Sequence, residues 1–274
     1  MQTTVSEIGF EQFLDAAPVF SLDDLVQWLD ERQVKNARMA AYNLTKYYRR
    51  TGRLSAVKEG IYFVVPAGHE ASSALADPYL VASKFGADAV LAFHSALDLL
   101  GFGHSTFNTF HVFSDRPRSP FRFRNDHFRV VQTPEPLLKQ SKQYFGTEKV
   151  ERLGMKIVVT GKERTLVECL ERPHYCGGFE EMYRSLEKMP YLQFDVLLEY
   201  LAIRAQKNLY ARTGFFLSQH AENFHVDQTL LTELRIHVPA QPVYWTPVRK
   251  GGVLAKPWNL IVPEAVYHHS WEQG

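Results

Sequence analysis

Cations are the residues of this chain best suited to chemistry, and they are unevenly placed. Residues 32–58 hold eight bases, Arg32, Lys35, Arg38, Lys46, Arg49, Arg50, Arg53 and Lys58, and no acid; residues 1–31 hold seven acids and no Lys or Arg. A formal net charge of +1 over 274 residues conceals this division. If 35–50 is one helix turning about 100° per residue, Lys35, Arg38, Tyr42, Asn43, Lys46, Arg49 and Arg50 oppose an apolar stripe of Val34, Ala37, Ala41, Leu44 and Tyr48. Such a face suits DNA: Lys and Arg neutralise phosphates, while Arg and Asn present paired donors to base edges. Arg38 and Asn43 are the candidates for base contacts. Lys35, Asn36, Tyr42 and Lys46 complete the surface, and Arg49, Arg50, Arg53 and Lys58 are expected to meet phosphates. A solvated surface helix is the alternative, but such helices ordinarily carry both signs of charge, and here the acids are missing.

A second group, Arg116, Arg118, Arg122, Arg124 and Arg129, faces only Asp115 and Asp126 over 114–129. Alternation of Phe121, Arg122, Phe123 and Arg124 in a strand puts both arginines on one face, as a second DNA or partner surface or as an exposed hairpin paired with acids elsewhere. Asp115, Asp126 and His127 raise a nuclease reading and the eleven histidines a metal one. Neither takes a diagnostic form: there is no His-Glu-x-x-His, no Cys-x-x-Cys and no glycine-rich phosphate loop, and His268-His269 falls in a terminal tail. No catalytic residue, metal site or cofactor is therefore expected. Cys169 and Cys176 read as free thiols, and Trp245, Trp258 and Trp271 as core or as a hydrophobic partner patch. The start lacks a signal-peptide pattern and no apolar run is long enough for a membrane span, so a cytoplasmic protein without membrane contact is expected.

The elements that must position the cations read as a winged helix-turn-helix. A helix spans 8–16, a second starts at Ser21 with Asp24 supporting its cap, a third runs to Arg50 and ends at Gly52, and two extended runs meet at Lys58-Glu59-Gly60. Residues 1–66 form the expected DNA-binding domain, compact enough to fold alone, and 67–73 the linker. Residues 74–274 form a larger mixed α+β domain, giving an α+β chain overall. Strands are expected over 109–113, 120–124, 127–132 and 156–160. Helices are expected over 78–86, 94–100 and 162–170, with a helical stretch over 178–220 broken at Pro190 and Gly214, and 242–262 returns to strand.

Phe20-Ser21-Leu22-Asp23-Asp24-Leu25, Gly52-Arg53-Leu54 and Gly60-Ile61-Tyr62 resemble the N-terminal winged helix of AbiEi antitoxins of type IV toxin–antitoxin systems. His94-Ser95-Ala96-Leu97 with Gly101, Lys162-Glu163-Arg164-Thr165-Leu166-Val167-Glu168, Gly177-Gly178 and Ala211-Arg212-Thr213-Gly214 resemble, in order, landmarks of that family's C-terminal module. Glu168 stands where an Asp is usual, and Glu59 interrupts a turn that is often wholly basic. The resemblance implies a repressor acting on double-stranded DNA at inverted repeats of its own promoter. It also implies an antitoxin to a co-encoded nucleotidyltransferase-like toxin, with no stable complex required. The rival readings are a DNA-processing enzyme targeted by a winged helix, and a DNA-binding regulator without an antitoxin role.

Overall fold

The computed structural model describes residues 9–272 and is a mixed α+β fold. Its first elements are helix α1 (Phe10–Ala16), strand β1 (Val19–Ser21), helices α2 (Leu22–Glu31) and α3 (Ala37–Arg50), and strands β2 (Leu54–Lys58) and β3 (Ile61–Val64). The expected helix start at Ile8 lies outside the described residues. Ser21 caps α2 through a reciprocal pair: its Oγ accepts from Asp24 N at 3.1 Å and its own N–H donates to Asp24 Oδ2 at 2.7 Å. The helix ends at Glu31, and two residues later Gln33 takes a positive φ of 58°. Gln33 N–H then donates to Asp30 O and Val34 N–H to Leu29 O, so the last carbonyls of α2 are satisfied while Val34 folds back onto the core. Asn36, at φ 54°, directs the chain into α3.

β1 was not evident in the sequence, being three residues long; it pairs antiparallel with β3, which pairs antiparallel with β2. This small sheet is apolar on both faces because its residues alternate. Phe20, Leu54 and Tyr62 join Phe10, Phe13, Leu25, Leu29, Ala37, Ala41 and Leu44 beneath the helices. Val19, Val57, Ile61 and Phe63 face the other way, into a core shared with the rest of the chain.

The larger part holds a six-stranded mixed sheet in the order β6-β7-β5-β4-β9-β8. Helix α4 (Pro78–Ser83) precedes β4 (Val90–Leu91), α5 (His94–Leu99), β5 (Thr109–Ser114), β6 (Phe121–Phe123), β7 (Asp126–Gln132), α6 (Glu135–Lys139), β8 (Thr147–Arg152) and β9 (Met155–Thr160). Helices α7 (Lys162–Glu171), α8 (Phe179–Leu186), α9 (Phe194–Arg204), α10 (Lys207–Gln219) and α11 (Gln228–Ile236) follow. A second small sheet, β10 (Val243–Tyr244), β11 (Val253–Ala255) and β12 (Leu260–Val262), and helix α12 (Glu264–Tyr267) complete it. One sheet face, with Leu91, Phe110, Val112, Phe128, Ile157 and Val159, packs on α4 and on the back of the N-terminal sheet. The other, with Val90, Phe113 and Val131, packs on the C-terminal helices.

The backbone between β3 and α4 is irregular, and side chains pack across it: Phe63 meets Phe123 edge-on at 5.9 Å between ring centroids, and Lys84 Nζ lies 3.0 Å from Asp24 Oδ2. A unit of residues 1–66 alone would expose a face that is core in the whole chain. One expectation fails here: Gly214 does not break the helical stretch. It sits inside α10, where the Trp258 ring occupies the space a Cβ would need, and the break falls at Ala205, at φ 50°.

Candidate nucleic-acid interface

Helix α3 is divided lengthwise. Ala37, Ala41, Leu44 and Thr45 are buried and Tyr48 half-buried, while Arg38, Met39, Tyr42, Asn43, Lys46, Tyr47, Arg49 and Arg50 are exposed. Thr45 can be buried because its hydroxyl donates to the carbonyls of Ala41 and Tyr42. Met39, Asn43, Lys46 and Arg50 run along the middle of the exposed side. Arg38 lies about 100° round the helix from that line, on the flank facing α2, with its guanidinium 3.6 Å from Asp23 Oδ1. Because α3 starts at Ala37, Lys35 and Asn36 are exposed residues of the preceding turn instead of members of the helix.

Met39 and Tyr47, 62% and 52% exposed, are large apolar surfaces that the charge pattern did not flag. Their signal was available in the same helical periodicity, which puts Met39 between Lys46 and Arg50 and Tyr47 at the edge of the exposed side. With Tyr42, 56% exposed, they give the basic face groups able to pack against sugars and thymine methyls.

Two bases of the expected phosphate-binding set are committed elsewhere. Arg53 donates to Val65 O at 3.0 Å and to Glu11 Oε2 at 3.2 Å, with Asp15 Oδ1 at 3.9 Å, and so ties β2 to α1. The Lys58 ammonium lies over the Phe121 ring at 4.9 Å and the Phe85 ring at 5.6 Å, at the seam with the larger part. Lys46, Arg49 and Arg50 enter none of the ion pairs found among the described residues, although Arg50 lies 5.7 Å from the Tyr47 ring centre.

The five later arginines do not form one surface. Arg116 and Arg118 are exposed in the loop after β5. Arg124 is not on the strand face with Arg122: it occupies the β6–β7 turn at φ 55° and donates to Ser73 O and Ala71 O, both at 3.1 Å, clamping the segment before α4. Arg122 pairs with His127, and Arg129 lies two residues further on, so both occupy the sheet face opposite Phe121 and Phe128. That is the face turned away from the N-terminal sheet.

The register also keeps apart the two carboxylates that raised the nuclease reading. Parallel pairing runs from Thr109↔His127 to Ser114↔Gln132, which puts Asp126 and Asp115 at opposite ends of the strands, about 20 Å apart at ~3.3 Å per residue. The larger part does contain a cleft of about 810 Å³ beside Glu171, His174, Arg212 and Arg249, and other groups of the chain bond to its Glu171 and to part of its Arg212. Arg204 holds both oxygens of Glu171, and Arg212 donates to the carbonyls of Glu171 and Trp245. Cys169 and Cys176 are buried free thiols, and burial raises the Cys169 pKa well above its ordinary value. His111 is buried with its Nδ1 unpartnered, and burial first, then the Arg129 charge, lowers its pKa to about 4, so it is neutral at physiological pH. No helix among the described residues is long and apolar enough to cross a membrane.

No protein-family model and no curated protein matches the chain. Among solved structures it is similar to the RV2827C protein from Mycobacterium tuberculosis, with a TM-score of 0.60 at 19% identity over 96% of this chain and 92% of that one. At that identity the likeness establishes a shared fold.

Proposed function

We propose that this chain is a DNA-binding transcriptional repressor whose N-terminal unit is a winged helix-turn-helix with α3 as its recognition helix. The observation that carries the proposal is the exposed side of α3, where Lys46, Arg49 and Arg50 have no acidic partner among the described residues and flank Asn43 and two tyrosines, while the opposite side is locked into the core. A helix of 14 residues is about 21 Å long, enough to lie along the major groove. The element order helix, strand, helix, helix, strand, strand supports the reading, as do the short α2–α3 turn and the hairpin after α3. Autoregulation at inverted repeats and antitoxin action against a nucleotidyltransferase-like toxin are the remaining parts of the proposal, and they rest on the AbiEi resemblance.

Nuclease footprinting of the full-length protein on the DNA upstream of its own gene tests the first part. Protection of paired half-sites, weakened by salt and by Asn43→Ala, is the expected outcome. A folded protein that shows no salt-sensitive association with that DNA or with any other duplex would falsify the assignment. Co-expression with a neighbouring nucleotidyltransferase tests the antitoxin part separately.

A further inference from the structure

The cleft beside Glu171 and Arg212 gathers more positive charge than the chain balances. It lies between the end of α7, the first turns of α10 and the segment 242–249, and its volume of about 810 Å³ is that of a site for a small organic ligand. Among the described residues that line it, Glu171 is the one acid, and its carboxylate is already shared by two other arginines. Arg204 Nη2 holds both oxygens, at 2.7 and 2.8 Å, and Arg172 Nε stands 3.9 Å from Oε2. Arg212 donates only to carbonyls: to Glu171 O at 2.8 Å, Trp245 O at 2.9 Å and, more weakly, Leu170 O at 3.4 Å. Its Nε has no partner among the described residues, so part of its donor fork is unused. Burial lowers the Arg212 pKa, and the Glu171 charge only partly offsets that effect. Arg249 enters none of the ion pairs among the described residues, and the loop 246–252 between β10 and β11 sets Lys250 beside it and no acid. Desolvated cations are ordinarily paired, so the partner missing from this cleft is an anion from outside the chain.

The remaining lining says what should carry that anion. Trp245 is buried, its Nε1 donating to Leu170 O at 2.9 Å, and Phe179 stands edge-on to it at 5.2 Å between ring centroids. Phe179 and Tyr244 are half-buried and offer apolar area to a flat ring. The Asn208 amide can both donate and accept at the edge of a heterocycle. His174, whose pKa is lowered by burial and then by the Arg172 and Arg129 charges, is neutral at physiological pH and can do the same. Guanidinium groups suit phosphate oxygens better than a point charge does. We infer that the cleft binds a nucleoside monophosphate, with the phosphate toward Arg212 and Arg249 and the base against Phe179 and Tyr244. This goes beyond DNA binding by α3 and does not depend on it.

Full-length protein is titrated by calorimetry with AMP, GMP, CMP and UMP, and in parallel with the matching nucleosides and with inorganic phosphate. At least one nucleotide should bind with a stoichiometry of one and raise the thermal midpoint. Its nucleoside should bind about 10- to 100-fold more weakly, the loss expected for a charge-assisted contact. Arg249→Ala, at an exposed side chain, should weaken the nucleotide by about 10-fold or more and bring its affinity toward that of the nucleoside. Asn208→Ala should weaken nucleotide and nucleoside alike, whereas Lys149→Ala, on the exposed strand β8, should change neither. Failure of all the nucleotides to bind with a Kd below about 1 mM overturns the proposal. So does undiminished binding by an Arg249→Ala protein with native circular dichroism. Inorganic phosphate binding as tightly as the best nucleotide would reduce the site to one for an adventitious ion only, and would overturn it as well.

Discussion

Arg49 and Arg50 should set the salt dependence of DNA binding, and Arg53 should not. Each phosphate contact contributes about 0.9 to the slope of log affinity against log salt, so the double variant Arg49→Ala/Arg50→Ala should flatten the slope by about 1.8. Over a fourfold rise in salt, from about 50 to about 200 mM, the wild type should then lose about 12-fold more affinity than the double variant. These two side chains are exposed at the end of α3 and enter no ion pair among the described residues, whereas Arg53 already neutralises Glu11 and bonds Val65 O. Arg53→Ala should leave the slope unchanged and instead lower stability through a half-exposed ion pair, by up to about 1 kcal/mol. Fluorescence anisotropy of a labelled non-specific duplex at four salt concentrations measures all three slopes without knowledge of the operator. A slope reduced by about one unit in Arg53→Ala but unaltered in the double variant would show that the hairpin, not α3, carries the phosphate contacts.

Glu168→Gln should destabilise the larger part by about 3–5 kcal/mol, because it strips the counterion from a fully buried Arg164; a thermal midpoint within about 2 °C of wild type would contradict this. A fragment of residues 1–66 should aggregate or bind a hydrophobic dye unless Val19, Ile61 and Phe63 are made polar, since these face the shared core; a soluble, cooperatively melting wild-type fragment would count against the seam. His111 should make the protein acid-sensitive. Its folded pKa of about 4 lies below the ordinary 6.5, so the unfolded chain binds more protons between those values and stability falls as pH drops through that window, by on the order of 3 kcal/mol in full. A His111→Gln variant should lose that part of the slope, and a profile identical to wild type would refute it.

Much of the N-terminal unit was legible in the sequence because its signals are local. Ser21 and Asp24 lie three residues apart and form the cap, the stripe from Ala37 to Tyr48 has helical period, and Gly60 marks the hairpin turn. What depended on distant residues was not legible. The charge pattern of 32–58 does not reveal that Arg53 would find Glu11, 42 positions away, or that Lys58 would find Phe121. Alternation predicted Arg122 and Arg124 on one face, but a two-residue turn ended the strand at Phe123 and sent Arg124 to the carbonyls of Ala71 and Ser73. Gly214 reads as a helix breaker only when the Trp258 ring, 44 positions later, is left out.

The landmarks of resemblance in the larger part owe their residue types to packing. Arg164 donates to Glu168 at 2.8 Å and to the carbonyls of Gln143 and Phe145, and Tyr200 donates to the same Glu168 oxygen at 2.7 Å, so this helix is bolted to its neighbours by a buried ionic network. His94 lies against Glu181, whose carboxylate is also held by Ser105 and Ser185. Gly177 adopts φ 81° with the Phe107 ring in the space a Cβ would need. Such groups are costly to alter whatever the protein binds, because a buried charge or a filled Cβ position penalises the fold itself. They therefore speak for a shared architecture and not for an antitoxin role. The exposed side of α3 behaves in the opposite way: Met39, Tyr42, Asn43, Lys46 and Arg50 do little for the core, so their identities are free to be set by a ligand. The discriminating observation for function is accordingly the sequence preference of Asn43→Ala and Lys46→Ala proteins with unchanged melting behaviour. If both retain full operator preference, the polar residues of α3 do not read DNA, and the recognition-helix assignment falls while the fold stands.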